Sequence, residues 1–195
     1  MLNKLFHMKN SKKKNASLCD ILNIKYPIIM APMFLVSNAS MLIEALNAGI
    51  TGCVPAHNYR TDQQFRNAIK LVREKSKGPI GINLIVNKSN IKFKNQLKSC
   101  LDLKVDYIIT SLGSPEKTIN ACKPLGIKVF CDVIDVKYAL KVEALGCDAV
   151  IAVNKEAGGH AGPTPGSILI PELINACSIP VISAGGVSNG AQMKN

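Results

Sequence analysis

One stretch, DAVIAVNKEAGGHAG from Asp148 to Gly162, carries the clearest signal of how this chain folds. Its first six residues, 148–153, are almost all apolar, which predicts a buried strand. The loop that follows holds three glycines around His160. Glycines let a backbone come close to a ligand, and a histidine can transfer protons near neutral pH. Loops at the carboxyl ends of parallel strands carry the chemistry of α/β enzymes, so the stretch predicts a catalytic loop.

Six other runs share this near-continuous hydrophobicity, and together the seven predict the strands of one sheet. Strands that are covered on both faces, as in parallel sheets, have this composition, whereas half-exposed strands alternate apolar and polar residues. The predicted strands cover 28–31, 49–55, 80–85, 106–111, 128–133, 148–153 and 180–184.

Helical patterns separate these strands. Asn38 and Thr61 are candidate N-caps of the first two helices, and Gly126 and Gly146 suit the ends of two later ones. Further helices are predicted at about 91–104, 115–125, 135–146 and 167–177, and a last one opens at Ser188. Strand starts recur every twenty to thirty-two residues, which predicts right-handed βα units closing into a parallel sheet or barrel.

The expected fold class is therefore α/β, and the expected architecture is a (β/α)8 TIM barrel. The chain has 195 residues and seven strand candidates, whereas an eight-stranded barrel typically needs about 250 residues. We therefore expect a barrel that is truncated after about the seventh strand. It would occupy residues 18–195, and residues 1–17 would form a basic, flexible tail.

Composition excludes several classes of protein. With 47% hydrophobic and 19% charged residues, the chain is expected to be globular rather than disordered. No apolar run approaches the roughly 20 residues that span a bilayer, so no membrane partner is expected. The Lys/Asn-rich amino terminus lacks the apolar core of a secretion signal, and a cytoplasmic location is expected.

The formal net charge of +11 raises the question of nucleic-acid binding. One basic cluster, Lys9 and Lys12–Lys14, lies in the predicted tail, and the other basic residues are spread over helical faces. The few aromatic residues are not interleaved with them as a stacking platform for bases would require. No nucleic-acid partner is therefore expected.

Seven cysteines are scattered along the chain without a CxxC pair. An odd, dispersed set inside apolar segments predicts small buried side chains in a reducing compartment, not disulfides or a zinc site. Cys131, beside Asp132, is a candidate nucleophile, but core cysteines are usually inert and this alternative is disfavoured.

In a parallel barrel the residues after each strand share one rim. This rim is polar, rich in glycine and poor in carboxylates, which suits a flat, anionic, hydrogen-bonding ligand better than a divalent metal. Its predicted members are Pro32–Met33, His57–Tyr59, Asn83, Ser111–Ser114, Asp132, the glycine and histidine loop, and Gly185–Gly186.

Two of these positions carry alternatives. Gly185 and Gly186 lie between a strand and a helix, where backbone N–H groups can bind phosphate, but a simple tight turn has the same composition. His160 is favoured as the functional histidine, although a hydrogen bond to a loop carbonyl would be a structural alternative. His57 shares the rim in a weaker context, and His7 is expected to be solvated in the tail.

Four motifs in this order resemble the nitronate monooxygenase (2-nitropropane dioxygenase-like) family. They are PIIMAPM at 27–33, GINL at 81–84, EAGGHAG at 156–162 and PVISAGGV at 180–187, and the resemblance covers about residues 18–195. The related FMN-dependent enoyl-acyl carrier protein reductase of type II shares these motifs.

The resemblance implies FMN as the cofactor, and the carboxylate-poor rim predicts no metal. It implies backbone contacts to the flavin from Ala31, Pro32 and Met33, a side-chain hydrogen bond from Asn83, close approach at Gly158 and Gly159, a phosphate site at Gly185 and Gly186, and proton transfer by His160. Relatives often carry Gln or Glu where this chain has Val153, and neighbouring Asn154 is a candidate substitute. The chain also lacks the family's eighth strand, so we expect weak FMN binding.

The activity that the resemblance implies is oxidation of an alkyl nitronate by O2 to a carbonyl compound and nitrite. The partners would then be this small-molecule substrate and O2. One alternative is NAD(P)H-dependent reduction of enoyl thioesters on the same scaffold. A second alternative is an inactive, truncated fragment.

Overall fold

The computed structural model describes residues 16–194, which form one parallel sheet flanked by helices. The sheet has seven strands in chain order, and each strand pairs with its neighbours in sequence. They are β1 (Ile29–Met30), β2 (Thr51–Pro55), β3 (Ile80–Ile85), β4 (Tyr107–Ser111), β5 (Lys128–Val133), β6 (Ala149–Val153) and β7 (Val181–Ala184). Every predicted strand is present, although β1 keeps only two of its four predicted residues.

Helices connect these strands as predicted. They are α1 (Leu18–Leu22), α2 (Ala39–Asn47), α3 (Asp62–Lys75), α4 (Phe93–Asp102), α5 (Glu116–Cys122), α6 (Val136–Ala144), α7 (Gly166–Ala176) and α8 (Gly190–Lys194). Both predicted N-caps are confirmed: Asn38 Oδ1 accepts the Met41 N–H at 3.1 Å, and Thr61 Oγ1 accepts the Gln64 N–H at 3.2 Å.

The two faces of the sheet carry separate cores. Ile82 and Ile108 lie on the outer face and pack with helix residues such as Phe65. Tyr107 and Ile109, one position away, lie on the concave face with a second apolar cluster. This is the layered arrangement of a (β/α)8 barrel. Among the described residues β1 pairs only with β2 and β7 only with β6, so the barrel is open, and the predicted fold class is confirmed.

Helix α1 was not predicted as an element. Ser17 caps it by accepting the Asp20 N–H at 3.2 Å, and Leu18 and Leu22 are buried in the concave core. Its neighbour Ile21 lines a groove with residues that precede β3, β4 and β5, so α1 lies at the amino-terminal end of the sheet. Most of the predicted tail at 1–17 lies outside the described residues and stays a prediction.

Tyr107 fills the lower part of the concave space. Its hydroxyl donates to the Gly52 carbonyl at 3.0 Å and lies 3.1 Å from Thr51 Oγ1, and its ring stacks on Phe130 with centroids 5.1 Å apart. Gly81 provides the room, because a Cβ there would lie 2.2 Å from the Tyr107 ring. The amino-terminal end of the barrel is therefore filled by protein, and ligand space is left at the carboxyl end.

No helix within residues 16–194 is long and apolar enough to cross a membrane. All seven cysteines fall within these residues and are unpaired, and six of them are buried, as the sequence analysis predicted.

Candidate functional site

The carboxyl end of the sheet brings polar side chains together inside the barrel. Asn83 comes from β3, Ser111 from β4 and Asp132 from β5, three adjacent strands. They form one continuous hydrogen-bonded chain. Because the strands are parallel, the loops that carry the other predicted residues lie around the same rim.

The Asn83 amide has a fixed orientation. The residue is 8% exposed, and its Nδ2 donates to the Ile109 carbonyl at 3.2 Å and to Ser111 Oγ at 2.8 Å. A flip of the amide would break both contacts, so Oδ1 is the atom that remains available. Within residues 16–194 no hydrogen bond reaches Oδ1. The side chain is therefore held ready to accept a hydrogen bond from a ligand.

Asp132 is the last residue of this hydrogen-bonded series, and its carboxyl has no cationic partner among the described residues. Ser111 Oγ donates to Asp132 Oδ2 at 2.5 Å. Burial raises the pKa of Asp132 to about 6, and the hydrogen bond from Ser111 opposes that rise. No ion pair to it exists in the described part of the chain.

The sequence analysis placed Ser111 and Asp132 on the rim without giving either a role. The period of two in a strand could have found them, because alternate positions of a strand point to the same face. On that count Ser111 falls in line with Tyr107 and Ile109, and Asp132 with Phe130, all on the concave side.

The loop from β1 to α2 is tied down by two side chains. Ser37 is 1% exposed, and its Oγ accepts the Met33 N–H at 2.9 Å. Asn58 Oδ1 accepts the Leu35 N–H at 2.8 Å, and Asn58 Nδ2 donates to the Ser37 carbonyl at 2.8 Å. Since the Met33 N–H is occupied and Pro32 has none, the predicted approach of 31–33 to a cofactor would use peptide faces there, not N–H donors.

Apolar side chains border the rim. In the β1–α2 loop Phe34 is 63% exposed and Leu35 is 73% exposed. Leu35 also has a φ of 60°, a left-handed conformation that costs a non-glycine residue roughly 1–2 kcal/mol. The other exposed apolar residues in loops that follow strands are Met33, Val36, Ile91, Leu112, Ile134 and Val187. The polar interior thus has an apolar border.

Asn154 organises the glycine and histidine loop. It is 1% exposed, its carbonyl accepts the Gly162 N–H at 3.1 Å, and its Oδ1 accepts the Glu156 N–H at 3.0 Å. Its Nδ2 donates to the Gly185 carbonyl at 3.3 Å and so joins the β6 and β7 loops. The suggestion that Asn154 substitutes for the polar residue missing at Val153 is therefore wrong, because its side chain is bonded within the loops.

Gly158 and Gly159 differ from the other glycine of this loop. A Cβ at either position would meet no atom within 4 Å. A Cβ at Gly162 would lie 2.2 Å from the Val153 carbonyl oxygen, so protein packing requires that glycine. Nothing in the protein fills the space beside Gly158 and Gly159, which leaves their backbone bare to an incoming ligand.

His160 is exposed at the tip of this loop. No hydrogen bond or ion pair from residues 16–194 reaches its imidazole, so the alternative in which it bonds a loop carbonyl is not observed. His57 lies on a short 3-10 turn after β2 (Ala56–Asn58), where burial and then the charge of Lys92 lower its pKa.

Gly185 and Gly186 form a turn with φ of 97° and 79°. A Cβ at Gly185 would lie 2.5 Å from the Ala157 backbone, so contact between the β6 and β7 loops requires a glycine there. The tight-turn interpretation therefore has a structural basis. Phosphate binding at these glycines stays a prediction.

Cys131 lies away from the rim interior. Its side chain packs in the outer core, Thr110 Oγ1 is 3.3 Å from its Sγ, and a hydrogen bond from Cys147 lowers its pKa. A nucleophilic role facing the candidate ligand space has no support in this position.

Two surface grooves lie elsewhere. One is bordered by Tyr59, Arg60 and Lys92, and the other lies beside α1 at the amino-terminal end of the sheet. Tyr59 is the one predicted rim residue that borders either groove, and neither groove contains a residue predicted to bind the cofactor or to transfer a proton. Across residues 16–194 no three His, Cys, Asp or Glu side chains are grouped so that they could hold a metal ion.

Comparison with known proteins gives a consistent result. A family model described as nitronate monooxygenase matches residues 15–99 and 87–195. A "probable nitronate monooxygenase" of Staphylococcus haemolyticus is 29% identical over 221 residues, covering 90% of this chain and 62% of that protein. An octahydroindene-carboxyl-CoA dehydrogenase of Rhodococcus jostii is 28% identical over 174 residues, covering 89% of this chain and 48% of that protein.

Among solved structures, FabK from Thermotoga maritima superposes with a TM-score of 0.85 at 32% identity. The match covers 90% of this chain and 56% of FabK. The chain thus spans between 48% and 62% of the length of these three proteins.

Proposed function

The chain belongs to the nitronate monooxygenase family, and we propose that it acts as an FMN-dependent oxidoreductase that oxidises alkyl nitronates with O2. The products would be a carbonyl compound and nitrite. The observation that carries this proposal is the fixed Asn83 amide, whose free Oδ1 lies inside the carboxyl rim of the barrel.

The residues present fit a flavin. A flavin ring is flat and carries N–H and C=O groups along one edge, and the Asn83 Oδ1 acceptor suits such an N–H. Gly158 and Gly159 leave a face without side chains, against which a planar ring can lie. We therefore assign Asn83, Gly158 and Gly159 to the ring, with Ala31, Pro32 and Met33 beside it and Gly185 and Gly186 at the phosphate.

A bound flavin supplies the electron acceptor for the organic substrate and the electron donor for O2. The protein supplies orientation and proton transfer. The exposed, unbonded His160 imidazole is free to hydrogen-bond the oxygens of an anionic nitronate and to hold or move a proton there. The apolar border of the rim would contact the alkyl part of the substrate.

A second function has an observation of its own. The likeness to FabK, at 32% identity, favours the flavin enoyl-acyl carrier protein reductase, which would take its electrons from NAD(P)H. The two functions use the same cofactor and differ in the electron donor.

One experiment separates them. The purified chain is mixed with FMN without oxygen, and either an alkyl nitronate, NADH or NADPH is added while the visible flavin absorbance is followed. We expect the nitronate, and neither NADH nor NADPH, to bleach the flavin. When air is admitted, the flavin colour should return and nitrite should form. The neutral parent nitroalkane is the control, because it tests whether bleaching requires the anionic nitronate.

The other outcomes decide the alternatives. Bleaching by NAD(P)H and not by the nitronate would establish the reductase and exclude our first assignment. Bound flavin that no donor bleaches would support the inactive fragment. In a His160→Gln variant that still binds FMN, we expect bleaching to slow by about 100-fold, which is the usual range for loss of an acid or base group.

A further inference from the structure

The Asp132 carboxyl has no part in the function proposed above, yet it lies in the chain of hydrogen bonds that fixes Asn83. It is the end member: Asn83 Nδ2 donates to Ser111 Oγ, and Ser111 Oγ donates to Asp132 Oδ2. A buried carboxylate without a cation partner lowers the stability of the folded protein, and such groups often lie at functional sites.

The direction of these bonds determines where a proton on Asp132 must lie. The Asn83 Nδ2 also donates to the Ile109 carbonyl, so the amide nitrogen faces Ser111. Ser111 has one hydroxyl hydrogen, and it is used toward Asp132 Oδ2. As long as Ser111 donates to Oδ2, a proton bound by the carboxyl lies on Oδ1.

Oδ1 receives no hydrogen bond from residues 16–194. The interior of the rim therefore presents an acceptor, Asn83 Oδ1, on β3 and a donor, the Oδ1–H of neutral Asp132, on β5, with Ser111 on β4 between them. An acceptor and a donor that face the same interior are complementary to a flat ring that carries both N–H and C=O groups.

The groups around Asp132 leave its titration simple. Cys53 faces it from β2 and Tyr138 from α6, and burial raises the pKa of both. Cys131, beside it in β5, lies in the outer core. These thiol and phenol groups add no positive charge, and burial alone raises the Asp132 pKa to about 6 against the effect of Ser111.

We propose that Asp132 binds the flavin ring in its protonated form, donating from Oδ1 to a ring carbonyl while Asn83 accepts from a ring N–H. This inference rests on the proposed flavin site. Its consequence is that ring binding takes up a proton. Affinity for the ring should fall on the order of tenfold per pH unit above the Asp132 pKa, if the ionised form binds negligibly.

Riboflavin is the suitable probe, because the phosphate of FMN itself titrates near pH 6. Riboflavin fluorescence is titrated with the chain at about pH 5.5 and about pH 7.5. Asp132→Asn keeps an oxygen for Ser111 and an N–H toward the ligand at every pH. Asp135→Asn is the matched control, since Asp135 only caps α6 and asparagine caps equally well.

We expect the affinity of the wild-type chain and of Asp135→Asn to fall by more than about tenfold between these pH values. The affinity of Asp132→Asn should stay within about twofold. His160→Gln should keep the wild-type pH dependence, which separates the two titrations.

A second measurement needs no variant. Carbon NMR of the Asp132 carboxyl in the wild-type chain should give a midpoint near 6, and riboflavin should move that midpoint upward. A midpoint that riboflavin leaves unchanged or lowers would overturn the inference, as would an Asp132→Asn variant with the wild-type pH dependence. Riboflavin binding with no pH dependence would overturn this inference alone, whereas no binding at any pH would overturn the flavin site as well.

Discussion

Glycine residues in the sequence motifs are present for two different physical reasons. At Gly81 and Gly185 a Cβ would overlap protein atoms, the Tyr107 ring at 2.2 Å and the Ala157 backbone at 2.5 Å. At Gly158 a Cβ would meet nothing within 4 Å. Packing explains the first two and does not explain the third, for which we propose contact with a ligand. The motifs recognised in the sequence therefore combine glycines that packing requires with one that we assign to a ligand.

This difference predicts opposite results for two alanine substitutions. Gly81→Ala should lower the free energy of unfolding by about 1–3 kcal/mol, because the tyrosine ring must shift. Gly158→Ala should leave that free energy unchanged within about 0.5 kcal/mol and weaken FMN binding instead. Urea unfolding and flavin titration of both variants measure the two effects. Destabilisation by Gly158→Ala, with flavin affinity intact, would contradict the assignment.

Asp132 makes a separate prediction about stability. Its folded pKa of about 6 lies above the ordinary value of 3.8, so the folded protein binds the proton more tightly than the unfolded chain. The wild-type protein should therefore lose stability as pH rises from about 4 to about 6. Two pKa units correspond to about 3 kcal/mol.

Asp132→Asn removes this titration. The variant should match the wild-type chain near pH 4 and exceed it by about 3 kcal/mol at pH 8, measured by urea unfolding across the range. A constant difference at all pH values would show that the carboxyl titrates normally in the folded protein.

At the scale of elements, the β1–α2 loop is held by one residue from the turn that follows β2. Asn58 contacts this loop at the Leu35 N–H and the Ser37 carbonyl, both at 2.8 Å. The loop has exposed apolar side chains and a left-handed residue at Leu35. Hydrogen bonds between Met33 and Ser37 close a turn within the loop, and Asn58 fixes that turn from outside.

We therefore expect Asn58→Ala to loosen the loop without unfolding the barrel. Amide hydrogen exchange at residues 33–37 should accelerate by about tenfold or more, since each net hydrogen bond is worth about 1 kcal/mol. FMN affinity should fall in parallel. Asn120→Ala, an exposed position on α5, is the control. Unchanged exchange in this loop would show that Asn58 does not hold it.

The elements themselves differ in how far the sequence could predict them. The N-caps at Asn38 and Thr61 were predictable because capping is local, and each side chain bonds a backbone N–H three residues on. Helix α1 was not, because five residues give too short a period and its buried leucines pack against strands distant in sequence.

At the scale of the whole molecule, the order of the strands could be predicted from the regular βα spacing. The series of hydrogen bonds across three of those strands could not. Asn83, Ser111 and Asp132 meet because β3, β4 and β5 pair in a particular register. Sequence alone placed all three at strand ends but could not supply that register. The resemblance identified Asn83, and only the paired strands reveal that Asp132 supports it.

The open sheet affects how strongly FMN binds, not where it binds. The predicted phosphate glycines lie at β7, which among the described residues pairs only with β6. We expect the ring contacts at β3 and β6 to give measurable but weak affinity for FMN. If the purified chain were yellow with tightly bound FMN, the prediction of weak affinity would be wrong.

The central claim is that a flavin ring binds inside the carboxyl rim against Asn83, and titration of FMN with the chain tests it most directly. Visible flavin absorbance should shift and saturate with the wild-type chain. Asn83→Leu, compared with the exposed-site control Asn120→Ala, should bind at least about tenfold more weakly, because it removes the acceptor. Equal affinity of Asn83→Leu and the control, or no spectral shift at any concentration of the wild-type chain, would contradict the account.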